Sequence, residues 1–203
     1  MRTLRRVLIG AAALVVLSGA ADLGFRMGTG GEGGLWASLL GTPSSARDGW
    51  LEIPSPLVEF ETVSGQAITL EPYRGQIVLL NFWGTWCPPC LREIPHLVQV
   101  QKFLEAAGGT IIGPAVDSGS TQNILKFAEE HGINYPVWIA TYQIAVGEFG
   151  ALGYPFTLLI DREGMIRKQY LGPQTSATLV ADVRKLLAEE AQTVAATSSN
   201  SRN

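Results

Sequence analysis

The sequence has 203 residues, 46% of them hydrophobic, which is enough for one folded domain with extensions at its ends. Its 15 basic and 18 acidic side chains give a net charge of −3, and this balance excludes the basic footprint of a nucleic-acid-binding protein. The two cysteines and two histidines match the four ligands of a structural zinc site in number, but the histidines are scattered along the chain, so no zinc finger is expected.

The first 25 residues are predicted to form a membrane anchor or signal segment, residues 1–25. Three arginines near the start precede an uncharged apolar run over residues 7–21. Positive charge ahead of an apolar run directs the run across a membrane while its start stays inside. An uncleaved single-pass anchor is favoured because the run can extend through Phe25, while the small residues Gly19 and Ala21 leave cleavage by a signal peptidase open.

Composition divides the rest of the chain into three parts. Residues 26–54 are rich in glycine and are predicted to be a flexible linker. Residues 189–203 end in a run of small polar side chains and are predicted to be a disordered tail. The folded domain is therefore expected over residues 55–188.

The first half of this domain is predicted to contain a hairpin, a buried strand and a long helix. Segments 57–60 and 67–70 flank a Ser-Gly turn and predict a β-hairpin. Residues 77–83 are almost wholly apolar, as in a strand buried on both faces. A helix is predicted over 91–107, with a bend at Pro95.

Shorter elements follow. A strand should begin at Thr110, and Pro114 predicts that it is irregular or lies at an edge of the sheet. Residues 124–131 predict a helix, residues 136–139 form a short apolar segment, and residues 144–149 suggest a brief helix.

The last predicted elements are a second hairpin and a final helix. Strands at 156–160 and 165–170 flank a turn of the type Asp-Arg-Glu-Gly. The final helix is expected over 177–188, capped by Ser176, with its apolar side chains on one face. Strands that alternate with helices indicate an α/β fold, a mixed sheet covered by helices, with the first hairpin as an N-terminal extension.

The only two cysteines, Cys87 and Cys90, lie between the buried strand and the long helix. A thiol pair at this spacing on a strand-to-helix turn suits reversible dithiol–disulfide chemistry. The positive end of the helix dipole stabilises a thiolate, so Cys87 is predicted to attack and the more buried Cys90 to resolve the mixed disulfide. Pro88 and Pro89 remove two backbone donors, so the N–H of Cys90 should be the main donor left for the Cys87 sulfur.

Other uses of the pair stay open at this point. A purely structural disulfide would close only a four-residue loop, so it would stabilise the fold weakly. A copper site built from both thiols and His96 or His131 is compatible with the preference of Cu(I) for soft ligands.

Two segments carry a resemblance to a known family. Residues 81–90 read Asn-Phe-Trp-Gly-Thr-Trp-Cys-Pro-Pro-Cys and are followed by Arg-Glu-Ile-Pro, and residues 153–161 read Gly-Tyr-Pro-Phe-Thr-Leu-Leu-Ile-Asp. Over roughly residues 55–188 the chain resembles the thioredoxin superfamily, and within it the membrane-anchored TlpA/ResA/CcmG-like thiol–disulfide oxidoreductases. The resemblance implies a thioredoxin-like sheet, export across the inner membrane, and a soluble domain in the periplasm or extracytoplasmic space.

The resemblance also implies roles for individual residues. Pro155 matches the cis-proline of the superfamily, and the backbone of Tyr154 before it could pair with an extended substrate segment. Trp86 and Pro88 are predicted to complete this substrate-binding surface. Glu93 matches a glutamate that transfers protons to and from the thiols, alongside Cys87 and Cys90 as the catalytic, redox-active pair.

Asn81 and Asp117 bear on the role assigned to Glu93 and on the extent of the site. Asn81 lies where thioredoxin itself has a buried aspartate, and because asparagine does not titrate, proton handling shifts toward Glu93. Asp117, near the expected end of a strand, is a further candidate for the site. The competing interpretation of Glu93 is a solvated helix-surface glutamate paired with Arg92 or Lys102.

The predicted function is an exported protein-disulfide reductase that acts on clients such as apocytochrome c or copper-site assembly proteins. Electrons would come from a membrane thiol donor, no cofactor or bound metal is expected in this chain, and a monomer is expected. A disulfide-introducing oxidant is the alternative with the same chemistry, because relatives with one fold span reduction potentials of roughly −270 to −120 mV. A copper-binding chaperone is the non-enzymatic alternative, and a peroxidase is disfavoured because the chain has no third cysteine.

Overall fold

The computed structural model describes residues 50–200. The predicted anchor over residues 1–25 and the start of the predicted linker lie outside the described residues. The strands of the described part are Ile53–Pro54 (β1), Phe60–Thr62 (β2), Ala67–Ile68 (β3), Ile77–Phe82 (β4), Gly109–Val116 (β5), Val137–Ala140 (β6), Phe156–Ile160 (β7) and Met165–Leu171 (β8). Its helices are Pro88–Ala106 (α1), Thr121–Glu130 (α2) and Ser176–Asn200 (α3), with a 3-10 turn at Glu71–Tyr73 and a π-helical segment at Gln143–Glu148.

The strands form one mixed sheet in the order β1-β8-β7-β4-β5-β6-β2-β3. β4 lies near its middle, parallel to β5 and antiparallel to β7, and every residue of β4 is buried. Successive side chains of a strand point to opposite faces, so β4 contributes to two apolar clusters. Ile77 and Leu79 pack with residues of α1 and α3, whereas Leu80 and Phe82 pack with Phe149, beside the π-helical segment. The predicted mixed sheet flanked by helices is confirmed.

Both predicted hairpins are present. β2 and β3 pair antiparallel through Phe60 with Ile68, and β2 also pairs with β6. The N-terminal hairpin is therefore an extension of the main sheet. β7 and β8 form the second hairpin, in which Gly164 donates its N–H to the carbonyl of Asp161 at 2.9 Å and closes the turn.

Of the two positions predicted for Pro114, the edge of the sheet is wrong, but the strand pairing beside Pro114 is irregular as the alternative predicted. β5 runs through Pro114 between β4 and β6, and it is buried along its whole length. The ladder between β4 and β5 reaches Leu80 and Ile112 and resumes as an isolated bridge between Trp83 and Ala115. Proline has no N–H to donate, so an interior strand accommodates it where this pairing is interrupted.

The predicted linker over 26–54 extends too far. The Trp50 side chain is buried, and the N–H of Leu51 donates to the carbonyl of Arg167 at 2.7 Å. The guanidinium of Arg167 also lies over the Trp50 ring, 5.5 Å from its centroid. The folded part of the chain therefore includes Trp50, because burial of a tryptophan ring removes a large apolar surface from water.

The predicted disordered tail over 189–203 is also wrong for most of its length. Helix α3 covers residues 189–200 of that segment, and residues 201–203 lie outside the described residues. Two ion pairs hold the middle of the helix to the β7–β8 hairpin, Arg167 with Glu189 at 3.3 Å and Arg162 with Glu190 at 3.1 Å. Composition suggested disorder because these long-range partners are not visible in the local sequence.

The helices begin earlier than the apolar patterns predict. α1 includes the two prolines between the cysteines, and α2 follows Ser120, whose hydroxyl accepts the N–H of Asn123 at 3.3 Å. Thr175, and not Ser176, caps α3, because its Oγ1 accepts the N–H of Thr178 at 3.2 Å. Within residues 50–200, no helix combines the length and apolarity needed to span a membrane.

Candidate active site

The two cysteines lie where β4 leads into α1. Cys87 is the N-cap residue of α1, and Pro88 and Pro89 are the first residues of the helix. Proline suits a first helical turn because its φ is already helical and its missing N–H would have no intrahelical partner. The local sequence therefore sets Cys90 one turn from Cys87, with their Cα atoms 5.3 Å apart.

The two sulfurs are joined as a disulfide with an S–S distance of 2.08 Å. The N–H of Cys90 points at the Cys87 sulfur, with N and Sγ 3.3 Å apart, as predicted from the loss of donors at the two prolines. The same N–H also lies 3.0 Å from the carbonyl oxygen of Cys87. The start of the helix thus offers one backbone donor to the sulfur that is expected to carry negative charge.

Both cysteines are buried in this disulfide form, so the predicted difference in burial between them is small. Cys87 is 3% exposed and Cys90 is 1% exposed. Both side chains belong to an apolar cluster with Trp83, Ala115 and Ile124.

Glu93 is buried, one turn of α1 beyond Cys90. Only 1% of the residue is exposed, which rules out the surface glutamate paired with Arg92 or Lys102. Its Oε1 accepts the backbone N–H of Gln174 at 2.9 Å, and its Oε2 accepts the side-chain N–H of Asn81 at 2.9 Å. Burial raises the pKa of Glu93 to about 7, although both hydrogen bonds favour the charged form and oppose that rise.

Asn81 is a hydrogen-bonded core amide, and its partners are part of the candidate site. Its Nδ2 donates to Glu93 and also to the hydroxyl of Thr157, at 2.8 Å. Asn81 and Thr157 are direct cross-strand neighbours on β4 and β7. Sequence reasoning did not single out Thr157, although a polar residue inside the apolar strand β7 is a signal that could have identified it.

Tyr135 is a second residue that sequence reasoning missed. Its side chain is buried, and its hydroxyl is without a hydrogen-bond partner in the described structure. Burial and then the charge of Glu93 raise the pKa of Tyr135, so the phenol lies within electrostatic reach of the carboxyl. Nothing in the local sequence around Tyr135 distinguishes it from an ordinary core aromatic.

The predicted substrate-binding residues meet beside the disulfide. Trp86 is 52% exposed, and its ring meets the half-buried ring of Tyr154 edge to face, with centroids 5.4 Å apart. The indole N–H donates to the carbonyl of Val116 at 3.1 Å, and the indole lies over Gly84, where a Cβ would come within 2.6 Å of it. Pro88 is also exposed, so aromatic and apolar surface borders the cysteine pair.

The loop before β7 approaches the same region. The Tyr154–Pro155 peptide bond is cis, as the resemblance implies, and Pro155 is buried. Its carbonyl accepts the N–H of Gly172 at 2.9 Å. Tyr154 packs against the cluster that holds both cysteines, so the structure brings this loop and the disulfide together.

Asp117 lies next to this loop. It follows β5 with a left-handed φ of 42°, and its carboxylate accepts the N–H of Tyr142 at 3.3 Å. The pKa of Tyr154 is raised, first by burial and then by the charges of Asp117 and Tyr142. Asp117 therefore contributes negative charge to the exposed rim near Tyr154.

The histidines of the copper hypothesis lie apart, His96 on α1 and His131 directly after the end of α2. His96 is half-buried on α1 with its Nδ1 unpartnered in the described structure, and the ring of His131 packs against Phe127 with centroids 4.3 Å apart. Across residues 50–200, no group of three or more His, Cys, Asp or Glu side chains is placed to hold a metal ion.

Comparisons with known proteins agree with this geometry. The thiol-disulfide oxidoreductase ResA of Bacillus thuringiensis (strain Al Hakam) is 34% identical over 125 residues, which cover 61% of this chain and 71% of that protein. ResA of Geobacillus thermodenitrificans is 37% identical over 114 residues, which cover 56% of this chain and 64% of that protein. A thioredoxin-family thiol:disulfide interchange protein from Chlorobium tepidum, known as a crystal structure, is 33% identical with a TM-score of 0.54 and covers 63% of this chain and 90% of its own.

A structure of a DsbF homologue from Corynebacterium diphtheriae is 26% identical with a TM-score of 0.60, and it covers 70% of this chain and 96% of its own. The model of the AhpC/TSA family matches residues 53–169, more than half of the chain. The resemblance found in the sequence is thus confirmed over the region that contains the disulfide, Glu93 and Pro155. The chain belongs to the AhpC/TSA family of thioredoxin-fold proteins, as a thiol–disulfide oxidoreductase of the ResA type.

Proposed function

We propose that the protein reduces disulfides in exported client proteins, such as apocytochrome c or copper-site assembly factors, and that a membrane-bound dithiol donor reduces it in turn. The observation that carries the proposal is the cysteine pair at the start of α1 with a buried, hydrogen-bonded carboxyl one turn further along. This arrangement supplies a nucleophile, a resolving thiol and a proton acceptor within one helix.

In the first step the Cys87 thiolate attacks one sulfur of the client disulfide. The client S–S bond breaks, a Cys87–client disulfide forms, and the second client sulfur leaves as a thiolate that takes a proton from water. The Cys90 N–H and the start of α1 stabilise the attacking thiolate. Cys87 is assigned as the attacking residue because it is the N-cap residue of α1 and its sulfur receives the Cys90 N–H.

In the second step Cys90 releases the client. The carboxylate of Glu93 accepts the proton of the Cys90 thiol, and the resulting thiolate attacks the Cys87 sulfur. The bond between Cys87 and the client breaks, and the client leaves with both sulfurs reduced. Two electrons have then passed from the cysteine pair to the client. A pKa of about 7 lets Glu93 accept and return this proton near neutral pH.

The client is expected to dock across Trp86 and Tyr154. The edge-to-face ring pair forms an apolar rim beside the cysteines. An extended client segment would hydrogen-bond to the backbone of Tyr154 as an added strand, while Pro88 contacts the residues that flank the client disulfide.

The location of this activity is proposed from the N-terminal sequence. Three arginines followed by an apolar run favour a single-pass anchor in the cytoplasmic membrane, with the domain over residues 50–200 on the outer side. The anchor would place the domain close to a membrane protein that carries electrons outward. Reduction of the disulfide by such a dithiol is the reverse of the two steps above, so electrons and protons balance over a full cycle.

A trapping experiment with Cys90→Ser tests the proposal. The resolving thiol is absent from this variant, so client proteins should accumulate as mixed disulfides on Cys87 in intact cells, and mass spectrometry would identify them. Cys87→Ser is the matched control, and we expect it to trap roughly tenfold less, because the attacking sulfur is missing.

Three outcomes contradict the proposal. Equal trapping by the two variants would contradict the assigned order of attack. Capture of proteins from the cytoplasm alone would contradict export. Accumulation of disulfide-free clients in cells that lack the protein would show that it introduces disulfides and does not reduce them.

A further inference from the structure

Thr157 has a contact that the reaction steps above do not use. The Asn81 side-chain amide has two N–H groups on Nδ2, and both are directed at oxygen atoms. One oxygen is Oε2 of Glu93 at 2.9 Å, and the other is Oγ1 of Thr157 at 2.8 Å. All three residues are buried, with relative exposures of 1% each.

The Thr157 hydroxyl accepts the second N–H of the Asn81 amide while the first N–H faces Glu93. A side-chain amide can present either its NH2 group or its carbonyl oxygen to a neighbour. A carbonyl directed at the carboxylate would place two acceptors in contact. With Thr157 present, both N–H groups have partners when the NH2 end lies between the two oxygens. Without the hydroxyl, one N–H of this buried amide is left unsatisfied, which is costly.

We propose that Thr157 is a positioning residue for proton transfer, because its hydroxyl holds the Asn81 amide with the NH2 group directed at the Glu93 carboxylate. The inference rests on the proton-accepting role that the proposed function gives to Glu93. Thr157 acts only through Asn81, to which it is bound across the β4–β7 ladder.

The other groups around Glu93 come from different elements. The Gln174 N–H, in the loop before α3, donates to the second carboxylate oxygen, and the phenol of Tyr135 is the titratable group that responds to the charge of Glu93. On α1 itself, the thiols of Cys87 and Cys90 titrate when the disulfide is reduced. Removal of the Thr157 hydroxyl leaves these groups in place, so its effect on the pKa of Glu93 can be measured separately from theirs.

The test compares Thr157→Val with Thr157→Ser in the full chain. Valine keeps the shape and the β-branching of threonine but has no hydroxyl, whereas serine keeps the hydroxyl. In the valine variant the carboxylate loses a well-oriented donor, so the pKa of Glu93, followed by 13C NMR of its carboxyl carbon, should rise by about one unit. The midpoint of the pH–rate profile for the resolving step should move upward with it, and the serine variant should retain the profile of the natural protein.

Each other outcome overturns the inference. An unchanged Glu93 titration in Thr157→Val would show that Asn81 keeps its orientation without the hydroxyl. A shift of equal size in Thr157→Ser would show that the hydroxyl is not the cause. If Thr157→Val does not fold, the side-chain protons of Asn81 in the natural protein decide: both should exchange slowly with solvent, and fast exchange of either one would contradict the proposed contact.

The two proposals can fail separately. If Glu93→Gln leaves the resolving rate unchanged, the role of Glu93 in proton transfer is wrong. The NMR titration of Thr157→Val still reports whether Thr157 controls the carboxyl through Asn81, because that readout does not depend on activity.

Discussion

At the scale of single residues, Glu93 illustrates how opposing effects combine in one side chain. Two hydrogen bonds donated to its oxygens favour the charged carboxylate, and burial disfavours it. Burial is the larger effect, so the pKa lies near 7 instead of the usual 4.5. A carboxyl with this pKa is protonated and deprotonated in comparable amounts at neutral pH, which suits an acid–base group beside a thiol pair.

Replacement of Glu93 by glutamine should slow the resolving step. The amide cannot accept the Cys90 proton, so we expect a loss on the order of 10²-fold at pH 7, in the range typical of general acid–base catalysis. The inflection near pH 7 should also disappear from the pH–rate profile. Stopped-flow fluorescence with a disulfide-bonded peptide would measure both effects.

Glu129→Gln is the matched control for this variant. Glu129 is an exposed glutamate on α2, away from the hydrogen bonds of the site, so its removal should leave the rate and profile unchanged. A profile of Glu93→Gln that overlays that of Glu129→Gln would remove Glu93 from the mechanism.

At the scale of elements, Arg162 ties the end of α1 to the second hairpin. It lies in the β7–β8 turn and donates to the carbonyls of Ala107 at 2.8 Å, Gly108 at 3.1 Å and Gly75 at 2.6 Å. A helix C-terminus leaves carbonyls without intrahelical partners, and a guanidinium satisfies several of them at once. Arg162 thereby helps to hold the helix that carries both cysteines against the sheet.

Arg162→Ala should lower the free energy of unfolding by about 2 kcal/mol, because several carbonyls and Glu190 lose a charged donor. Arg162→Lys should recover only part of this loss, since an ammonium group does not reproduce the planar fork. Urea titration followed by circular dichroism would measure both variants.

Lys126→Ala is the control for the removal of a positive charge. Its side chain is 75% exposed, and among the described residues it pairs with Glu130 on the surface of α2, so the free energy of unfolding should change by less than about 0.5 kcal/mol. An equal effect of Arg162→Ala and Lys126→Ala would contradict the role given to the β7–β8 turn.

At the scale of the whole molecule, the sheet order assembles the site from distant parts of the chain. β4 lies between β5 and β7, so Asn81 meets Thr157, 76 residues later in sequence. The loop after β8 then brings the N–H of Gln174 to Glu93, 81 residues away. The acid–base group is therefore a product of the complete fold.

This buried carboxyl should make global stability depend on pH. The pKa of Glu93 is raised in the folded state, so the folded protein binds this proton more tightly than the unfolded chain does. Its contribution is fully favourable below about pH 4.5 and is lost as pH rises through about 7, a change on the order of 3 kcal/mol. Urea unfolding between pH 5 and pH 8 should show this fall, and Glu93→Gln should remove most of the slope. A slope that is the same in both proteins would contradict the raised pKa.

The extent of prediction from sequence differed between local and long-range features. The buried strand β4, the two hairpins and the helices were predictable because apolar periodicity and turn residues are local signals. The burial of Pro114 was not predictable, because the position of β5 inside the sheet depends on strands far along the chain. The helical end of α3 was not predictable either, because its ion pairs with Arg162 and Arg167 join residues that are distant in sequence.

The sequence by itself determined that Cys87 and Cys90 lie one helical turn apart, because the prolines between them suit the first turn of the helix that follows the apolar strand. Only the tertiary structure decided how deeply those sulfurs are enclosed and that Glu93 has left solvent to bind Asn81 and Gln174. Exposure and proton affinity depend on what packs around a side chain, and the packing groups come from strands and loops that the local sequence does not contain.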